Sequence, residues 1–159
     1  MALNEANLIA KEVKIRNLRL PKEVLETRRS SVRWLALSLG ILNPGESRHG
    51  AVAVLDALVY FYFIRKKDPE IAEILEYIGK NWGGIKEKTL RYHLLRMKRM
   101  GIVQNARGRF YLRPPDVGDR DDPSVWVMSL LESDYREIAS KITEIINNMR
   151  SKSMGEEHE

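Results

Sequence analysis

The chain has 159 residues, 43% of them hydrophobic, which suits one domain with a packed core plus an appendage and is too short for two full domains. The absence of cysteine excludes a disulfide framework, a thiolate metal site and a cysteine nucleophile. Net charge is +5, yet residues 85–113 hold nine basic and one acidic side chains while residues 114–159 hold five basic and eleven acidic ones. Such a basic block predicts a polyanionic partner if the fold gathers it on one face.

Residues 1–10 carry Glu5 and lack both a basic start and a long apolar run, so neither a secretory nor a transit signal is expected. The longest apolar stretch, residues 51–64, contains Asp56 and falls short of the ~20 residues of a membrane span, so it predicts a buried helix. The expectation is a cytoplasmic, nucleoid-associated protein with no membrane partner.

In chain order, residues 4–14 suit a short helix and residues 14–20 a polar arm. Pro21 fits a first helical position and Gly40 a helix end, with Val24, Leu25, Val32, Leu35 and Leu39 as the apolar stripe and Arg28, Arg29 and Arg33 on the surface. Asn43-Pro44-Gly45 signals a turn, and Ser47 can cap the next helix. That helix, about residues 48–66, is apolar nearly all round through Val52, Val54, Leu55, Leu58, Val59, Phe61, Phe63 and Ile64, and belongs at the centre of the core. Asp56 inside it needs a partner, for which Arg33 or His93 could serve.

Asp68-Pro69 starts a helix to about residue 81 that buries Ile71, Ile74, Leu75 and Ile78, and Gly83-Gly84 breaks the chain. A helix over residues 86–100 stops at Gly101. Residues 102–104 and 109–112 then read as two strands joined by a tight turn at Asn105-Ala106-Arg107-Gly108. In the 86–100 helix, Leu90, Leu94, Met97 and Gly101 share one side, leaving Lys88, Arg91, Tyr92, Leu95, Arg96 and Arg99 on the other. Helix, helix, glycine break, helix and hairpin is the order of a winged helix-turn-helix.

The run Thr89-Leu90-Arg91-Tyr92-His93-Leu94, then Met97, then Gly101-Ile102-Val103, resembles the recognition helix and following strand of ArsR and MarR-like winged-helix regulators. The segment Leu20-Pro21-Lys22-Glu23-Val24-Leu25 through Trp34, with Asn43-Pro44-Gly45-Glu46-Ser47-Arg48, is similar to small archaeal winged-helix proteins that are predicted DNA binders. The effector-sensing cysteines of many ArsR-type metal sensors are missing. The resemblance implies double-stranded DNA as partner and transcriptional regulation as role. The expected contacts are Lys86, Lys88, Thr89, Arg91, Tyr92, Leu95, Arg96 and Arg99 in the major groove, with Arg107, Arg109 and Arg113 of the hairpin on the flanking backbone or minor groove. A non-specific architectural DNA coater and a winged-helix protein-interaction module are the alternatives.

His93 borders the apolar side of its helix and reads as a structural histidine; His49 and His158 have no metal-ligand or acidic partner at helical spacing. Asp119, Asp121 and Asp122 lack the order of a calcium loop, and read as a solvated linker and a helix cap before Pro123. No nucleophile elbow or phosphate-cradling loop is present, so no enzyme, catalytic residue, metal, cofactor or small-molecule effector is expected.

From Pro123 onward, Met128, Leu131, Tyr135, Ile138, Ile142, Ile145 and Met149 recur at alternating spacings of three and four, the period of a coiled-coil seam. A homodimer joined by that seam is expected. The alternative is a helix packed on its own domain, since Trp126 and Ile146 broaden the apolar face. The predicted architecture is therefore mainly α with a small β-hairpin wing. It comprises an arm (1–20), a winged-helix domain (21–115) and an acidic linker with a dimerisation helix (116–159).

Overall fold

The computed structural model describes residues 3–47 and 49–157, and the side chains of residues 3–47 and 49–152. Arg48 and His158, singled out above, lie outside the described residues. The chain is mainly helical with one antiparallel hairpin. In order come α1 (Arg28–Ser38), α2 (Gly50–Val59), α3 (Ile71–Trp82), α4 (Glu87–Arg99), β1 (Val103–Ala106), β2 (Arg109–Leu112) and α5 (Pro123–Glu157). Two compact units divide it, residues 1–113 and residues 114–159. Among the described residues no helix is long and apolar enough to cross a membrane.

In the first unit α2 is the central element, touching α1, α3, α4 and β2. Its residues 51–58 are all buried, as an all-round apolar helix requires. No side chain caps α2; His49 occupies the cap position, not Ser47. The helix continues through Tyr60–Ile64 as a π-helical turn, with Arg65 N–H bonding the Tyr60 carbonyl, and Lys66 then takes a left-handed φ of 52°. The wider turn rotates the chain, so Phe61 and Tyr62 are buried while Ile64, expected in the core, is exposed.

The helix expected from Pro21 to Gly40 is divided. Lys22–Leu25 is a 3-10 turn, and α1 begins at Arg28 with Thr27 accepting from Ser30 N–H. The Ser30 and Ser31 hydroxyls both donate to the Val24 carbonyl, at 2.7 and 2.8 Å, offering the backbone a local alternative to the helical ladder. Leu25 is left exposed as a result.

At the N-terminus, the helix expected over residues 4–14 shrinks to a 3-10 turn at Glu5–Leu8. The following segment is a strap across the end of α1. Arg16 donates from Nη1 to the carbonyls of Leu37 and Leu42, both at 2.7 Å, its N–H bonds the Ser38 carbonyl, and the Trp34 indole donates to the Arg19 carbonyl. The bonds to Leu37 and Ser38 tie the strap to carbonyls of the last turn of α1, where the helical ladder runs out, and the bond to Leu42 ties it to the loop that follows. Gly40 makes the approach possible: its φ is +73°, and a Cβ there would lie 2.5 Å from the Lys14 carbonyl oxygen.

The cap of α3 is Glu70 rather than Asp68. Glu70 and Glu73 form a reciprocal capping box, and Pro69 is buried just before it. The first strand reaches two residues closer to the tip than expected, adding Asn105 opposite Phe110 and Ala106 opposite Arg109, so Arg107-Gly108 alone makes the turn. Both carry positive φ, 55° and 76°, the two-residue turn whose twist matches that of the strands. On the outer edge of β2, Glu70 bridges to Arg109 and Phe110 N–H bonds the Pro69 carbonyl.

Asp56 is 2% exposed and is held by three donors, Arg28 Nε at 2.5 Å, Tyr77 Oη at 2.8 Å and Trp82 Nε1 at 2.9 Å. Neither expected partner is used, since Arg33 donates to the Glu46 carbonyl and His93 lies against Gly50. Burial, and then the hydrogen bond and charge of Asp56, push the Tyr77 phenol up to about 12. A raised phenol pKa favours the neutral group in the fold, so this contribution to stability is complete below pH ~10 and is lost as pH rises from ~10 to ~12. Ultraviolet titration of the folded protein is expected to show a late phenolate step near pH 12 that Tyr77→Phe abolishes; a late step surviving that change would exclude Tyr77 as its source.

In the second unit, Asp122 Oδ1 accepts from the backbone N–H and hydroxyl of Ser124 and caps α5, with Pro123 at the first helical position. Those bonds hold the Asp122 carboxyl below its ordinary pKa. Trp126 and Leu130 are buried, whereas Met128, Tyr135, Ile138, Ile142, Ile145, Ile146 and Met149 are exposed. Trp126 therefore does not widen the exposed seam; it lies on another side of the helix.

Candidate nucleic-acid interface

The outward side of α4 arises from a simple division of its residues. Leu90, His93, Leu94 and Met97 are buried, which leaves Lys88, Tyr92, Leu95 and Arg99 as one exposed row, with Arg91 beside it. Tyr92 is 59% and Leu95 45% exposed, so an aromatic and an aliphatic side chain stand among the cations. Lys98, absent from the sequence-based set, is also exposed and flanks Arg91 and Leu95; its helical angle alone would have included it.

Residues 83–86 turn the chain from α3 into α4. Gly83, left-handed at φ 79°, closes α3 by bonding the Ile78 carbonyl. Lys86 is the extended cap residue of α4, is exposed, and makes no side-chain capping bond. Thr89 is half-buried on the flank facing a cleft of about 420 Å³, whose lining includes His49, Trp82, Ile85, Tyr92 and His93. The close packing of His93 on α2 depends on Gly50, where a Cβ would lie 2.8 Å from Nε2.

The cations are not equivalent. Arg91 donates to Glu87 at 3.1 Å, but both side chains are half-exposed, and a pair of this kind is worth only a few tenths of a kcal/mol. Arg96 is half-buried and donates from Nη1 to the Ile41 carbonyl at 2.8 Å, fixing the loop after α1 against α4. Arg109 is similarly engaged, with Nη1 on the Asp68 carbonyl at 2.7 Å and Nη2 on Glu70 at 3.0 Å. Arg107 is exposed at the hairpin tip, and Arg113 is half-buried just beyond β2.

Of the predicted set, Lys88, Arg91, Tyr92, Leu95 and Arg99 are brought together on one exposed face, with Lys86 at its start. Arg107 stands on a separate element, and Arg96 and Arg109 hold the fold. Glu87 is the one acidic residue of α4, so the face keeps a positive balance. Among the described residues no group of three or more His, Cys, Asp or Glu side chains is placed to hold a metal ion. Asp119 accepts from Asp121 N–H in a local turn, and Asp122 is the α5 cap. No protein-family model matches the chain, and no curated protein or solved structure matches it significantly.

Proposed function

We propose that this chain is a winged helix-turn-helix protein that binds double-stranded DNA as a homodimer and regulates transcription, without catalytic activity and in association with the nucleoid. In this reading α4 is the recognition helix, and the hairpin at residues 103–112 is the wing. The observation that carries it is the exposed row of Lys88, Tyr92, Leu95 and Arg99 with Arg91 beside it, on a helix whose other side is anchored in the core. Arginine on such a face can form a two-point hydrogen bond to guanine O6 and N7, and lysine pairs with phosphate. Exposed Tyr92 and Leu95 favour sequence preference over a simple coating role, since they add little to phosphate binding and can touch thymine methyl groups.

The test is a titration against preferred and random duplexes at several salt concentrations. With Lys88, Arg91, Lys98, Arg99 and Arg107 as available cations, log affinity is expected to fall with log salt at a slope of about −4.5 per protomer, at ~0.9 per contact. Tighter binding to selected duplexes supports the regulator. Equal binding to all sequences makes the protein an architectural coater, and a salt-independent interaction, or none, removes DNA as the partner and favours a protein-interaction module.

A further inference from the structure

We propose that the α5 helices of two copies of this chain pair antiparallel, in the single register that sets Tyr135 against the partner's Ile138. The inference deepens the homodimer of the preceding reading and rests on it. Its starting point is a seam whose C-terminal stretch is open: Leu131 is half-buried, but Ile142, Ile145 and Met149 are 54%, 61% and 61% exposed. A row of large apolar side chains at coiled-coil spacing is stable in water only against a complementary surface.

Charge identifies a second copy as that surface, and fixes its direction. One flank of the seam carries Val127, Asp134, Lys141 and Asn148; the other carries Val125, Glu132, Ala139 and Ile146. In a parallel pair the flanks meet so that Asp134 faces the partner's Ala139 and Lys141 faces the partner's Ile146, with no complementary charge. In the antiparallel pair like flanks meet. Asp134 then faces the partner's Lys141 twice across the two-fold axis, and Val125 faces the partner's Ile146 twice. The seam layers become Met128 on the partner's Ile145, Leu131 on the partner's Ile142 and Tyr135 on the partner's Ile138.

Both neighbouring registers are disfavoured. A shift by one heptad in one direction puts Lys141 against the partner's Lys141. In the other it puts Asp134 against the partner's Asp134 and Glu132 against the partner's Glu132. Like charges across such flanks select against a register. Lys141 is free to turn outward, because its bond to Glu137 on the same helix, at 3.2 Å, joins two side chains that are each about 70% exposed. With a rise of 1.5 Å per residue, the two Pro123 positions lie ~40 Å apart along the paired helices.

The full chain tests this directly. Sedimentation is expected to show a wild-type dimer, and Asp134→Lys and Lys141→Asp chains whose dimers are each weakened at least tenfold. An equimolar mixture of the two variants regains near-wild-type association, because each then faces opposite charges. Circular dichroism serves to show that both variants remain folded. Since the chain has no cysteine, Asn147→Cys takes one spin label; the antiparallel pair places the labels ~30 Å or more apart along the helices, a parallel pair ~20 Å or less. A monomeric wild type overturns the pairing and leaves DNA binding by α4 to the duplex titration. A dimer with the short distance, or variants that fail to complement, overturns the antiparallel register. A dimer with the long distance that ignores DNA upholds the pairing while the DNA reading falls.

Discussion

Asp56→Ala is expected to lower the unfolding free energy by about 3–5 kcal/mol, the range for removing one partner of a buried ion pair. The effect comes from what is left behind. Arg28, Tyr77 and Trp82 all donate to this one carboxylate, and they belong to α1 and α3 while Asp56 belongs to α2. Without it, the Tyr77 hydroxyl and the Trp82 indole lose their acceptor in a half-buried setting, and unsatisfied groups of that kind cost about 1–3 kcal/mol each. Arg28, nearly half exposed, recovers water and adds less.

Asp56→Asn keeps an acceptor for the aromatic donors and is expected to cost about 1–2 kcal/mol, mostly through Arg28. A cycle with Arg28→Ala separates the charge from the hydrogen bonds: coupling between the two positions is expected with Asp, and little with Asn. Chemical denaturation checks all of this. A loss below about 0.5 kcal/mol for Asp56→Ala would mean that the three helices hold together without the cluster.

The cluster also shows where sequence reading reaches its limit. That Asp56 needs a partner follows from one carboxylate in an apolar helix, but the donors come from Arg28 and from Tyr77 and Trp82, which only the packed helices bring together. By contrast, the register of α4 is legible because its two faces differ in composition at every turn, from Leu90 to Met97 on one side and from Lys88 to Arg99 on the other. The division of the 21–40 segment was hidden because Ser30 and Ser31 are compatible with a helix, and only their bonds to Val24 reveal the break. The strap at Arg16 was invisible for another reason: nothing in a polar arm announces that one guanidinium will occupy carbonyls more than twenty residues away. Helical angle likewise places Arg96 outward without telling that the Ile41 carbonyl waits there.

That difference between direction and engagement yields the largest functional effect. Combined Lys88→Glu, Arg91→Glu and Arg99→Glu is expected to weaken duplex binding by on the order of 100-fold or more, since three lost contacts at ~1 kcal/mol or more each compound. It should also shallow the salt slope by about 3, at ~0.9 per phosphate contact. Stability should change little, because all three side chains are exposed and their one ion pair is weak. Arg96→Ala should behave in the opposite way, with binding within a few-fold of wild type and about 1–2 kcal/mol lost from stability along with the bond to Ile41. Arg107→Asn isolates the hairpin tip, since Asn tolerates the left-handed turn while removing the charge, and it should reduce the slope by about 0.9 with the hairpin intact. If Arg96→Ala abolishes binding while the triple reversal spares it, the interface lies on the flank that faces the loop after α1, and the exposed row of α4 is not the surface that meets DNA.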